Sequence, residues 1–470
     1  MNVESIEKAE IFPLNPPSNS AYSFKGGFPI VQFQIANQDK LLDASTLRLN
    51  GTLRVQAPGG DEANPVFPTN NPTSAASATN GISLSNRVGV ASCLQQITLA
   101  TQSNQTLEVI RSYGRYLSSV MSVTHSDSDF NGSNQQGNPA SSSKSGNSAK
   151  AVNVDVSFSI PLRTGLLSSG QPIPLGTNGF RGMLINLELA PDSQVLGPLF
   201  TYNAANTESP ILYTAGIGAF YQLRDLSLTY DLLVPDDTGK NAMSSPATGQ
   251  FTYNSISHLY GVINSSDQTQ NYNLGTSKTL AVFHNFIPTQ LINNFSADGF
   301  ATRRLANSNG GAYDQDADIN RVSFIRGGSK FPLDYAVDVR QGTDVNSGLI
   351  ADNRPQTDLD MRYIDSIKPF SSFNHSLISL NTQNALPVET GIVNLQELPV
   401  NKDTQADPRP VFGAGINLDP MTKSGVDFKN TNYAIRIESD LDGNSPNSIY
   451  SYVVAQNTLT YSPNGIMVQS

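Results

Sequence analysis

Apolar and polar residues alternate along much of this chain with a period of two. In 29–35, Val31, Phe33 and Ile35 alternate with Gln32 and Gln34. In 47–55, Leu47, Leu49, Leu53 and Val55 share one face with Gly51, and Arg48, Asn50, Thr52 and Arg54 take the other. The cleanest run is 152–160, where Val152, Val154, Val156, Phe158 and Ile160 oppose Asn153, Asp155, Ser157 and Ser159. Runs 183–189 and 226–232 repeat the pattern. This is the period of half-buried antiparallel strands. Segments 280–286, 322–325, 331–339, 433–437 and 449–460 are less regular strand candidates. One stretch departs: Leu107, Ile110, Leu117, Val120 and Met121 fall near helical spacing, which predicts a short helix flanking a sandwich, weakened by Gly114.

Long polar tracts separate the strands, chiefly 57–80, 126–150, 301–320 and 401–430. Loops of this length are uncommon in compact domains and are usually functional or disordered, so they read as projections from the ends of a rigid scaffold. Residues 1–27 contain proline, are acidic and have no period. They read as an arm, either a disordered terminus or a segment that orders on assembly. Residues 235–252 (PDDTGKNAMSSPATGQFT) begin without period and read as a linker that nearly halves the chain. Leu228-Thr229-Tyr230 before it recurs as Leu459-Thr460-Tyr461 in the last strand, which favours a tandem duplication.

Composition narrows the class. The 470 residues are 38% hydrophobic, enough to fill sandwich cores, and only 14% charged. With 28 Pro and 36 Gly there is little uninterrupted room for long helices. The net charge of −10 argues against binding nucleic acid through an overall field. Basic residues are densest at Arg303-Arg304 and from Arg321 to Lys330, without forming a stripe. One cysteine, Cys93, excludes an intrachain disulfide and suits a reducing compartment. No secretory signal and no apolar run of membrane-spanning length is seen. Six glycosylation sequons, starting at Asn50, Asn104, Asn131, Asn264, Asn294 and Asn374, are expected by chance in a chain this rich in Asn, Ser and Thr.

Catalytic and metal motifs fail one by one. The four histidines (His125, His258, His284, His375) are far apart in sequence, and a single Cys builds no zinc site. No nucleophile elbow or dinucleotide fingerprint occurs. Gly239-Lys240 lacks the earlier glycine of a phosphate loop, since position 234 is Val. Asp314, Asp316, Asp318 and Asn320 begin like a calcium loop, but Ile319 and Ile325 stand where an EF-hand needs Gly and Glu. A solvated acidic loop is the plainer reading, a looser calcium site the other. Asp440 and Asp442 before Gly443 read as a turn. The arm carries Glu4, Glu7 and Glu10 against Lys8, so it is no polycationic genome-binding tail. No catalytic, cofactor-binding or metal residue is nominated, and no cofactor is expected.

The run Phe158–Leu175 (FSIPLRTGLLSSGQPIPL), followed by the strands at 183–189 and 220–232, resembles the closing strands of the first jelly roll in double jelly-roll major capsid proteins. The segments Gly27–Phe33 (GFPIVQF), Ile110–Leu117 (IRSYGRYL), Lys330–Asp338 (KFPLDYAVD) and Asn457–Tyr461 (NTLTY) are similar to those of polinton-like viruses and virophages. The likeness covers most of the chain as a pattern, though no single motif is diagnostic. It implies an all-β fold of two tandem eight-stranded jelly-roll β-sandwiches with long loops and a short flanking helix. The arm would be 1–27, the first jelly roll 28–234, the linker 235–252 and the second jelly roll 253–470.

In function, the resemblance implies a homotrimeric, pseudo-hexameric capsomer tiling an icosahedral shell around double-stranded DNA. The chain would be made in host cytoplasm and located in the virion. It would not be an enzyme and would bind no specific nucleic-acid sequence. Its partners would be itself, neighbouring capsomers, penton and minor capsid proteins, and in some members an internal membrane. A penton or minor capsid protein is the second reading. A carbohydrate-binding or carbohydrate-cleaving β-sandwich is the third, weakened by the absence of Trp.

Overall fold

A computed structural model describes residues 3–57, 59–61, 64, 66, 82–84, 88–124, 155–176, 180–198, 218–244, 249–293, 295, 300, 319–338, 413–418, 425–439, 446–462 and 465–469. Of the 22 strands among the described residues, sixteen form the framework of two sandwiches. The first eight are β1 (Val3–Ile11), β2 (Ile30–Ile35), β3 (Leu41–Gln56), β4 (Leu94–Thr101), β5 (Thr106–Arg111), β6 (Val156–Pro161), β7 (Met183–Leu189) and β8 (Phe220–Pro235). They form two antiparallel sheets, ordered β1-β8-β3-β6 and β2-β7-β4-β5.

The next eight are β9 (Gly249–Ile263), β10 (Asp267–Tyr272), β11 (Thr279–Pro288), β12 (Ile319–Arg326), β13 (Ser329–Lys330), β14 (Gly413–Asn417), β15 (Tyr433–Ser439) and β16 (Asn447–Ser462). Their sheets run β9-β16-β11-β14 and β10-β15-β12-β13. Adding eight to each strand number of the first sandwich reproduces the second. Both have the jelly-roll order.

The repeated Leu-Thr-Tyr falls at equivalent register in the two halves. Ile11 pairs Leu228, and Phe251 pairs Leu459. The alternation is realised in the cores. Val31, Phe33 and Ile35 are fully buried while Gln32 and Gln34 stay half-exposed. Leu47, Leu49, Leu53 and Val55 line the neighbouring sheet. Each such side chain contributes roughly 1.5–3 kcal/mol on burial. Gly51 is required by close approach, since a Cβ there would stand 2.6 Å from a Leu226 methyl and 2.8 Å from the Arg224 carbonyl oxygen. The β8 register shifts opposite it, between Arg224 and Ser227, where Asp225 takes a left-handed conformation.

Several expectations are corrected. The predicted helix over 107–121 is a strand first: β5 ends at Arg111, Ser112 turns with φ 51°, and α1 runs Tyr113–Thr124. Strand pairing with β4 overrides the helical spacing there. Val3–Ile11, read as part of an arm, is β1, held to β8 by backbone pairing with its side chains mostly exposed, hence without a period. The linker segment holds a short helix, α2 (Asp237–Ser244), and the start of β9. Of the candidate strand 331–339, only Val337–Asp338 pairs, on β12. Pro332 has no N–H to give a ladder. The polar tract 401–430 contains β14.

Candidate functional site

Chemistry is sparse where the structure can be inspected. No group of three or more His, Cys, Asp or Glu among the described residues could hold a metal ion. His125, His375, Asp314, Asp316, Asp318, Asp440, Asp442, Arg303 and Arg304 lie outside the described residues. Asn320 and Arg321 sit in β12, where the Arg321 guanidinium stands 4.0 Å from Glu438. Gly239-Lys240 is inside α2, where the Lys240 ammonium reaches Glu4 and Asp237 at 3.5 and 3.4 Å. Cys93 is buried, and burial pushes its thiol well up. No helix among the described residues is long and apolar enough to cross a membrane.

His284 is in contact with a serine, as a nucleophile's base would be. Its Nδ1 lies 2.7 Å from Ser451 Oγ and its Nε2 2.7 Å from Tyr433 Oη, and the Ser451 hydroxyl donates to Tyr272 Oη at 3.1 Å. All three of His284, Ser451 and Tyr433 are fully buried, and the imidazole stacks on Tyr433 at an interplanar angle of 4°. Burial pulls its pKa down to about 3, so the ring is neutral. With no exposure to a substrate, this network ties β11, β15 and β16 together inside the second core.

The organised polar chemistry lies instead at the seam between the sandwiches. The strand β5 ends one sheet of the first sandwich and packs against β9, the first strand of the second. Glu108 of β5 is buried in the seam. Its Oε1 accepts from the Gly165 N–H at 3.1 Å and the Ile256 N–H at 2.9 Å, and its Oε2 from the Leu166 N–H at 2.8 Å. One carboxylate thus joins β5, the 162–168 turn and β9. Burial raises its pKa, and the hydrogen bonds offset part of that rise. Gly165 has no alternative residue here, because a Cβ would land on the Asn254 carbonyl oxygen.

Tyrosines complete the seam. Tyr253 donates to the Leu107 carbonyl and Tyr452 to the Ser112 carbonyl, both at 3.0 Å. Tyr116 packs on Tyr452 with ring centroids 5.6 Å apart. The Arg115 guanidinium sits over the Tyr450 and Phe300 rings. Gln105 bonds the Ile466 carbonyl and Ser118 the Phe300 carbonyl. His258 lies beside Tyr450 and Tyr452, and burial with the nearby Arg111 lowers its pKa to about 4. The two lobes are therefore joined through a buried, hydrogen-bonded seam. Sequence reasoning missed Glu108, whose partners lie 57 to 148 residues away in the chain.

The outer flank of the first sandwich is the other notable surface. Among the described residues, seven of the eleven exposed large hydrophobic residues lie between Val3 and Ile30, including Phe12 at 66%, Phe28 at 52% and Ile30 at 65% exposure. Surface apolar residues gathered in this way mark interaction surfaces more often than singles do.

No protein-family model matches the chain. No curated protein matches it either. Among solved structures, VP54 of PBCV-1, as fitted into a reconstruction of the virophage Sputnik, superposes with a TM-score of 0.57 at 12% identity, covering 100% of this chain and 98% of that one. The Faustovirus major capsid protein gives 0.54 at 11% identity over 97% and 90% of the two chains. A chain of the Sputnik virophage structure gives 0.53 at 11% over 100% and 89%. Among the described residues the fold is the double jelly roll.

Proposed function

We propose that this double jelly-roll chain is a viral major capsid protein, a structural rather than catalytic subunit. The observation that carries the reading is the repetition of one strand order in two sandwiches fused through a buried, hydrogen-bonded seam. Such a unit is a rigid two-lobed tile. On this reading the first jelly roll would close at 234 and the second begin at 253, with the linker 235–252 between them taking in the end of β8 and the start of β9. Residues 1–27 then act in the first sandwich through β1.

Three copies in a closed ring would present six similar lobes, a pseudo-hexagonal capsomer able to tile an icosahedral shell around double-stranded DNA. Its partners would be further copies, then penton and minor capsid proteins, with an internal membrane a further candidate. It would be made in the host cytoplasm and reside in the virion. The pairing of basic side chains supports a role without sequence-specific nucleic-acid binding: Arg54 makes a bidentate pair with Asp155, and Arg436 with Asp267.

Light scattering on the purified protein tests the reading. Three chains of 50.4 kDa give 3 × 50.4 = 151.2 kDa. A species near that mass is expected. A stable 50.4 kDa monomer at micromolar concentration contradicts it. The sugar-binding alternative would require saturable binding on a glycan array, which is not expected.

A further inference from the structure

The seam between the lobes holds an ionisable ring with no hydrogen-bond partner. His258 lies on β9, directly opposite Tyr452 of β16. Its ring packs beside those of Tyr450 and Tyr452, with centroids 5.7 and 5.2 Å away. Its Nε2 is shut off from solvent and meets no partner among the described residues. The same two tyrosines carry the first sandwich. Tyr452 donates to the Ser112 carbonyl and packs on Tyr116, and Tyr450 lies under the Arg115 guanidinium. The imidazole therefore packs on the rings against which α1 and the end of β5 rest.

The charged and titratable groups around it would not welcome an imidazolium. Arg111 of β5 and Arg115 of α1 are cations. Burial raises the phenols of Tyr450 and Tyr452, so both stay neutral in acid. Tyr260, on the same strand as His258, sets its ring edge-on to Tyr450 and shares a hydrogen bond with the Ser448 hydroxyl. The carboxylate of Glu108 already accepts from the Gly165, Leu166 and Ile256 N–H groups. Its pKa is raised by burial, so it is among the earlier carboxylates to lose charge as pH falls. A proton added to His258 would create a charge that is buried, unbonded and beside charges of its own sign.

We propose that His258 is an acid-sensitive latch on the seam: neutral, it lets β9 lie against β5, and ionised, it parts the two strands and frees one lobe to move against the other. Burial, with Arg111 nearby, holds its pKa at about 4, against 6.5 in the open. A group lowered in this way stabilises the closed seam above pH 6.5 and loses that contribution as pH falls towards 4. Compared with a chain lacking this imidazole, the ratio of open to closed seam should rise about twentyfold between pH 7 and pH 5. Glu108 works in the opposite sense, because protonation relieves the cost of burying it, so a seam without His258 should hold or tighten in acid. His284 lies inside the second core and acts on the unfolding of that sandwich as a whole. On the capsid reading above, acid would loosen each tile at its midline while both sandwiches stay folded.

Hydrogen exchange on the full-length protein at pH 7 and pH 5, corrected for the intrinsic effect of pH on exchange, tests the latch. The Gly165, Leu166 and Ile256 amides report the seam, since Glu108 is their acceptor. Amides of β3 and β11 report the two cores. Seam opening in the wild type, divided by that in His258→Phe, should be about twentyfold greater at pH 5 than at pH 7, with both cores still protected. His258→Gln, which is uncharged and smaller, should behave as His258→Phe does, and it serves if a phenyl ring does not pack at this place. The proposal is overturned if seam protection changes with pH equally in the wild type and the variants. It is also overturned if seam and cores open together in acid, which is unfolding of the sandwiches and not a parting of the lobes. Exchange is read within one chain, so failure of the latch leaves the capsid reading standing, and failure of the capsid reading, seen as a monomer by light scattering, leaves the latch to be judged on these amides alone.

Discussion

Replacing Glu108 measures what holds the two lobes at a fixed angle. In Glu108→Ala three buried N–H groups, of Gly165, Leu166 and Ile256, lose their acceptor. Each orphaned donor costs about 1–3 kcal/mol. The substitution also relieves the cost of burying a carboxylate, the effect that raises the pKa of this group. A net loss of about 3 kcal/mol is therefore expected. Glu108→Gln is the sharper variant. Its carbonyl oxygen can keep the Gly165 and Ile256 bonds, but its amide nitrogen would face the Leu166 N–H, donor against donor, at about 1–2 kcal/mol.

Urea unfolding gives the stabilities, and hydrogen exchange at the Ile256 amide reports the seam locally. The pH dependence has a definite sign. A carboxyl whose folded pKa lies above its ordinary value of 4.5 binds its proton more tightly in the native state, so its penalty is absent in acid and appears as pH rises through the folded pKa. The wild type should accordingly gain on the Gln variant as pH falls from neutrality. Equal stability of wild type and both variants, with unchanged Ile256 protection, would refute the seam argument.

Other outcomes follow from the same packing. His284 is held neutral with a pKa near 3 against 6.5 in the open chain, so the unfolded state takes up the proton first and stability falls as pH drops from about 6.5 towards 3. At 1.4 kcal/mol per unit this amounts to up to about 5 kcal/mol, and His284→Gln should flatten that limb of a stability–pH profile. Gly165→Ala should cost at least about 1–3 kcal/mol, because the methyl group collides with the Asn254 backbone, and should raise exchange on β9 more than on β3.

What the sequence made legible follows burial. Strands with one face in a core and one in water announced themselves, and Met183–Leu189 spans the same residues in pattern and structure. Edge strands without a buried face did not. In β10 (Asp-Gln-Thr-Gln-Asn-Tyr) only Tyr272 is buried, and β1 is exposed on most of its length; backbone pairing alone makes them strands. At the opposite extreme β11 is buried at every position and shows no alternation, so the sequence offered 280–286 only as a less regular strand candidate. Around Glu108, a buried polar residue inside an apolar run looked like helical spacing. Its meaning depends on Ile256, which local pattern cannot reach.

Images of single particles test the central account most directly. Negative-stain class averages of the purified full-length protein should be compact plates with six similar lobes arranged about a three-fold axis, two lobes to each chain. Averages with isolated two-lobed particles only, or with five-fold rings, would contradict a major capsid tile built from this fold.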